Sequence, residues 1–332
     1  MIEGDGGPSV EAMRIVIALG GNAMTAADGQ ARPQDQRAAI TEAAEPIADL
    51  VAAGHQLLLT HGNGPQVGNL LVKNELAADV VAPVPLDWCG AQTQATIGML
   101  LLNALDRALS VRGLGARTAA LVSRTLVDPD DEGMRTYSKP IGRYLPPAEV
   151  EKLKAHGQRF VEVPRRGWRR VVASPRPRQV LDLPAAEVLL EAGYVVVCSG
   201  GGGIPTMRAG DGSLHGVEAV IDKDLTAALL AEQLGADVLV IATDVEAVVA
   251  GWGTRAATSI GRVSSTRLRE IAEEHAFAAG SMGPKVEAVI RFVERAGGSG
   301  IITSLHRLAD ALDGTVGTHV VPDETGTGAR SA

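Results

Sequence analysis

Two cysteines, Cys89 and Cys198, stand far apart in this chain of 332 residues and form no CxxC pair. Their scarcity argues against a disulfide framework and for a cytoplasmic, disulfide-free enzyme. No apolar run reaches the ~18 residues of a membrane span. Residues 1–12 are acidic and lack the basic start and apolar core of a secretory signal. They are expected to form a disordered extension, and residues 323–332 a disordered tail. Positive charge is also short. The formal net charge of −8 argues against a nucleic-acid-binding surface.

Familiar catalytic signatures are missing too. No glycine is followed by Lys-Ser or Lys-Thr, as a Walker A loop requires. The first glycine turn, GGNAMTA, lacks the GxGxxG spacing of a dinucleotide fold. The seven histidines show no HExxH and no His/Cys pairing, so no protein-bound metal is expected. Ser199 is not in a GxSxG elbow. Of the 31 basic residues only six are lysines, at 73, 139, 152, 154, 223 and 285. In a chain that uses arginine by default, a lysine set among Gly, Asp and Pro suggests a need for a compact point charge. Lys139, Lys223 and Lys285 have that setting.

What is present is an alternation of strands and helices. Residues 14–19 read as a buried strand, 35–53 as a helix interrupted at Pro46, and 55–60 as a second strand. A helix over 90–110 and a strand near 117–122 follow. After a break the pattern resumes with helix 184–192, strand 194–198, helix 222–234, strand 237–242, helix 264–276, a helix after Lys285 and strand 300–303. This order predicts an α/β fold with a mainly parallel sheet covered on both sides. Residues 126–182 break the rhythm. They are rich in proline and arginine and predict an inserted subdomain with weak regular structure, acting as a mobile cover.

Three glycine turns follow strands: Gly20-Gly21, Gly62 to Gly68, and Gly200 to Gly203. In a parallel sheet these lie at the carboxyl ends of strands, where ligands bind, and their backbone amides can approach an anion closely. Lys223 is held between Asp222 and Asp224, downstream of the tetraglycine. Lys285 follows Pro284 in a helical first turn, where its charge opposes the helix dipole unless an anion sits there as well. Two lysines, an aspartate and glycine amides meet the needs of phosphoryl transfer, which asks for alignment and positive charge.

The stretches ALGGNA (18–23), HGNGPQVGN (61–69), SKPIG (138–142), RRVVASPRP (169–177), SGGGGIP (199–205), GVEAVIDKD (216–224), TDV (243–245) and GSMGPK (280–285) resemble those of the carbamate kinases, within the amino acid kinase superfamily. The resemblance implies an open αβα sandwich with an inserted lid, a homodimer, and reversible phosphoryl transfer between ATP and carbamate with magnesium carried on the nucleotide. It implies that residues 13–222 form the carbamoyl phosphate lobe and residues 223–322 the nucleotide lobe. Gly20, Gly21, Asn22, Gly62 and Asn63 would contact the transferred phosphate, and Gly200 and Gly201 the carbamoyl phosphate. Lys223 and Lys285 would stabilise charge, with Asp224 organising them. Thr243, Asp244, Val245 and Met282 would lie by the nucleotide. Many members of the superfamily carry a lysine two residues before the first Gly-Gly, where this chain has Ala18. The resemblance implies that Lys139, from the insertion, supplies that charge. The chain departs from the family at Arg143-Tyr144-Leu145 and at Val249, where an aromatic is usual. Two other readings stay open: a kinase of another small carboxylate or phosphonate, and a non-catalytic sensor of nucleotide or phosphometabolite.

Overall fold

The computed structural model of the chain describes residues 11–24, 32–115, 117–154, 157–275, 277 and 282–323. Most of the two terminal segments expected to be disordered, and Gly280 and Ser281, lie outside these residues. Eight strands make the central sheet: β1 (Arg14–Leu19), β2 (Gln56–His61), β3 (Thr118–Ala120), β4 (Val195–Val197), β5 (Val238–Thr243), β6 (Arg262–Ser264), β7 (Ser299–Ser304) and β8 (Thr318–Val321). Their order is β6-β8-β7-β5-β1-β2-β4-β3. Every pairing is parallel except that of β7 with β8.

The apolar runs seen in the sequence are continuous because both faces of the sheet are covered. Along β1, Ile15, Ile17 and Leu19 enter one core and Val16 and Ala18 the other, and all five are fully buried. Burying an isoleucine here contributes about 2 kcal/mol. Helices α1 (Pro33–Ala52) and α3 (Leu86–Val111) close the first face. The second is closed by α4 (Leu183–Glu191), α5 (Lys223–Leu234), α6 (Ser265–His275) and α7 (Met282–Ala296). The result is an open αβα sandwich, as expected.

Two expectations change. Helix α1 continues through Pro46 as one element. The carbonyl deprived of its partner there belongs to Glu42, which is exposed and open to water. The insertion is also regular rather than loose. Tyr137–Leu145, Gly167–Ala173 and Arg159–Val163 form an antiparallel sheet with Gly167–Ala173 in the middle. Its prolines are compatible with this because of where they stand. Pro140 lies on an edge strand, Pro147 begins a short helix, and Pro177 begins another strand. Arginine and lysine stack on the few aromatics here: Arg159 on Tyr137, Arg169 on Tyr144 and Lys154 on Trp168. The pairing of aromatic with cation is legible in the sequence only once the strands are known.

Candidate active site

Strand register brings the glycine turns together. Leu19 of β1 stands opposite His61 of β2 and Ala242 of β5. The chain beyond is tied across the strands. The Gly20 amide donates to the Ala242 carbonyl at 2.9 Å and the Gly62 amide to the Leu19 carbonyl at 3.0 Å. A Cβ on Gly62 would stand 3.2 Å from the Gly21 nitrogen, so the two turns meet only as bare backbone. After Gly62 the chain enters α2 (Gly64–Ala77), whose first turn opens toward the same space.

On the far wall, α5 begins with the triplet singled out in the sequence. Asp222 caps the helix, accepting from the Asp224 amide at 3.0 Å and the Leu225 amide at 3.5 Å. Its other carboxylate oxygen accepts from Lys139 Nζ at 3.0 Å, reaching in from the inserted sheet. Asp224 is 4% exposed and takes one ammonium on each oxygen: Lys223 at 2.5 Å and Lys285, from the first turn of α7, at 3.0 Å. Burial pushes the Asp224 carboxyl upward, but the two ammonium groups outweigh it and hold it below the ordinary carboxylate range. Burial lowers the Lys223 pKa, and the Lys285 charge adds to that, against the pull of Asp224. Three lysines face two aspartates here, an excess of one positive charge that suits an anionic ligand.

These groups line a cleft of about 1580 Å³, bounded by Gly21, Gly62, Asn63, Gly201, Lys139, Lys223, Asp224 and Lys285. Gly20, Gly200, Thr243, Asp244, Val245 and Met282, also singled out in the sequence, lie apart from its lining. Gly20 is behind Gly21, and Gly200 is packed against the His61 ring, which a Cβ there would approach to 2.2 Å. The tetraglycine therefore offers the cleft Gly201 rather than a continuous wall. Thr243 ends β5, Asp244 and Val245 follow it, Met282 begins α7, and the Thr243 hydroxyl donates to Asp244 at 3.0 Å. The backbone of Asn22 lies in the short turn after β1.

Three roles escaped the sequence reading. Thr93 on α3 accepts from the Asn63 amide at 2.9 Å and donates to the Gly90 carbonyl at 2.7 Å, which fixes the Asn63 side chain. The signal was a polar pair, Thr93-Gln94, on the apolar side of a helix. Asp222 joins helix cap and inserted lysine in one carboxylate. His61 is 1% exposed, and burial lowers its pKa to about 4, so its neutral ring donates Nδ1–H to the Gly62 carbonyl at 2.9 Å. Among the described residues no group of acidic, His or Cys side chains could hold a metal ion.

The amino acid kinase family model matches residues 13–304. A carbamate kinase of Thermococcus kodakarensis is 41% identical over 312 residues, covering 93% of this chain and 99% of its own. One of Trichomonas vaginalis is 40% identical over 94% of this chain and all of its own. The solved structure of carbamate kinase from Giardia lamblia bound to AMP-PNP superposes with a TM-score of 0.90 at 38% identity, covering 94% of this chain and 99% of that one.

Proposed function

Because the chain belongs to the amino acid kinase family, and within it to the carbamate kinases, we propose that its cleft transfers a phosphoryl group from carbamoyl phosphate to ADP, yielding ATP and carbamate, in the working direction. The observation that carries this is the pair Lys223 and Lys285 converging on Asp224 at the wall of the cleft. In the reaction a terminal oxygen of ADP attacks phosphorus in line, a new P–O bond forms, and the bond to the carbamate oxygen breaks. No side chain need act as nucleophile. Negative charge spreads over the equatorial oxygens of the moving group, and Lys223 and Lys285 lie where they would stabilise it. Asp224 holds both ammonium groups in place. Gly20, Gly21, Asn22, Gly62 and Asn63 are assigned to the transferred phosphate, Gly200 and Gly201 to the carbamoyl phosphate, and Thr243, Asp244, Val245 and Met282 to the nucleotide. Lys139 is assigned the charge absent at Ala18.

We assign residues 13–222 to the carbamoyl phosphate lobe, with 126–182 as a closing lid, and 223–322 to the nucleotide lobe. Support for the lid comes from Lys139, which crosses from the insertion to the cap of α5. Magnesium is assigned to the nucleotide phosphates, whose charge it would neutralise, since the described residues offer it no carboxylate cluster of their own. A homodimer is proposed on the family resemblance. A cytoplasmic setting agrees with two free, buried cysteines. No described helix is long and apolar enough to cross a membrane. The deciding experiment supplies folded protein with carbamoyl phosphate, ADP and magnesium and follows ATP. ADP-dependent ATP formation is expected, and its absence would overturn the proposal.

A further inference from the structure

We infer that Gln94 is a positioning residue for phosphoryl transfer: it locks the Gly200–Gly201 peptide plane so that the Gly201 N–H is presented to the cleft. Gln94 lies in α3 and is 4% exposed. Its carboxamide makes three hydrogen bonds. Nε2 donates to the Gly200 carbonyl at 2.9 Å and to the Ser123 carbonyl at 3.1 Å, and Oε1 accepts from the Ser123 amide at 2.8 Å. Two carbonyls on one side and an amide on the other define the orientation of the group, because a flipped carboxamide would set oxygen against oxygen.

The consequence follows from peptide geometry. A trans peptide is planar, with its C=O and N–H pointing in opposite directions. The Gly200 carbonyl is held from one side by Gln94 and by the Gly203 amide at 3.2 Å. The N–H of the same peptide unit belongs to Gly201 and points the other way. Gly201 lines the cleft, and its N–H has no hydrogen-bond partner among the described residues. The preceding peptide is pinned likewise, its Ser199 carbonyl accepting from Thr60 Oγ1 at 2.9 Å and from the Gly202 amide at 3.0 Å.

The turn's own hydrogen bonds need support from outside because its glycines resist rearrangement weakly. Gly201, Gly202 and Gly203 all have positive φ, and a glycine run passes between φ signs with little steric resistance. Bulk cannot supply the restraint, since a Cβ on Gly201 would fall 2.2 Å from the Asn63 carboxamide. Hydrogen bonds from outside the turn therefore add to those made by its own Gly202 and Gly203 amides. Gln94 and Thr93 are consecutive, so one helical turn of α3 fixes both the Gly200 carbonyl and the Asn63 side chain, which packs against Gly201.

This inference rests on the reading that Gly200 and Gly201 bind carbamoyl phosphate, and the experiment separates the two. In Gln94→Met the volume is kept and all three bonds are lost. Parent and variant are compared for kcat and KM with carbamoyl phosphate, and for ADP binding by calorimetry. The expected result is a fall of about 100-fold in kcat/KM for carbamoyl phosphate, the scale of a misplaced reacting group, with ADP affinity within twofold of the parent. An unchanged kcat/KM, or ADP affinity falling in parallel, overturns the positioning role. If Gln94→Met does not fold, Gln94→Asn, which keeps the carboxamide but withdraws it by one methylene, is read against the same two outcomes. A parent protein without turnover would instead count against the carbamate kinase reading itself.

Discussion

Lys223, Asp224 and Lys285 form a group in which each charge has a reason to be buried. Removing either lysine leaves the other facing Asp224 alone and takes one positive charge from the cleft. Lys223→Ala and Lys285→Ala are each expected to lower turnover by ~100-fold or more, as when a preorganised charge contact is lost. Rates near the parent's in an ATP-formation assay would remove those residues from the site. His61 makes a different prediction, about stability. Folded His61 resists protonation until about pH 4, whereas an unfolded histidine takes a proton near 6.5. The unfolded state therefore binds more protons between these values, and stability is fully present above pH 6.5 and falls with pH below it. Between pH 7 and pH 5 this one residue should cost about 2 kcal/mol. Urea titrations at the two pH values should show a smaller acid-induced loss in His61→Gln than in the parent, by about that amount. An equal loss in both would show that His61 is not the group responsible.

At the scale of the element, the N-terminus of α5 combines two jobs in Asp222: capping the helix and receiving Lys139. The two are separable because asparagine caps as well as aspartate but carries no charge. Asp222→Ala should lose about 1 kcal/mol of stability in denaturant titration. Asp222→Asn should keep most of that stability. Because Asp222→Asn releases the Lys139 ammonium, it should show faster proteolysis of the inserted sheet than the parent. Equal proteolysis would mean that this ion pair, 3.0 Å long and with a lysine side chain 42% exposed, does not hold the lid. Lys139→Met should lower turnover while leaving ADP affinity unchanged, a pattern that steady-state kinetics and calorimetry can read together.

Across the whole molecule, the central sheet runs without interruption from β6 to β3, and the cleft opens where β5, β1 and β2 end. The two proposed lobes thus share one floor, over which the inserted sheet is proposed to close. The proposed homodimer predicts that sedimentation equilibrium at micromolar concentration will give twice the chain mass. A single-chain mass across the concentration range would exclude it.

The strands and their two buried faces were legible from the sequence because apolar runs of six residues between glycine turns leave few alternatives. The charged triplet and the odd first-turn Lys285 were legible as well, since each broke a local rule. Other features were not local. The prolines of residues 126–182 suggested weak structure, yet Pro140, Pro147 and Pro177 occupy an edge strand, a helix start and a strand start that only the assembled sheet defines. Asp222 stands out only within the triplet and Gln94 only as half of a polar pair, and neither shows its partner, which lies 83 and 106 residues away in Lys139 and Gly200. The sequence by itself determined which chemical groups this protein has and which strands carry them. Only tertiary structure decided that one carboxylate holds two lysines, and that Gly201 rather than the whole tetraglycine meets the cleft. Hydrogen-bond direction and charge pairing are set by distance in space, which the order of residues along the chain does not contain.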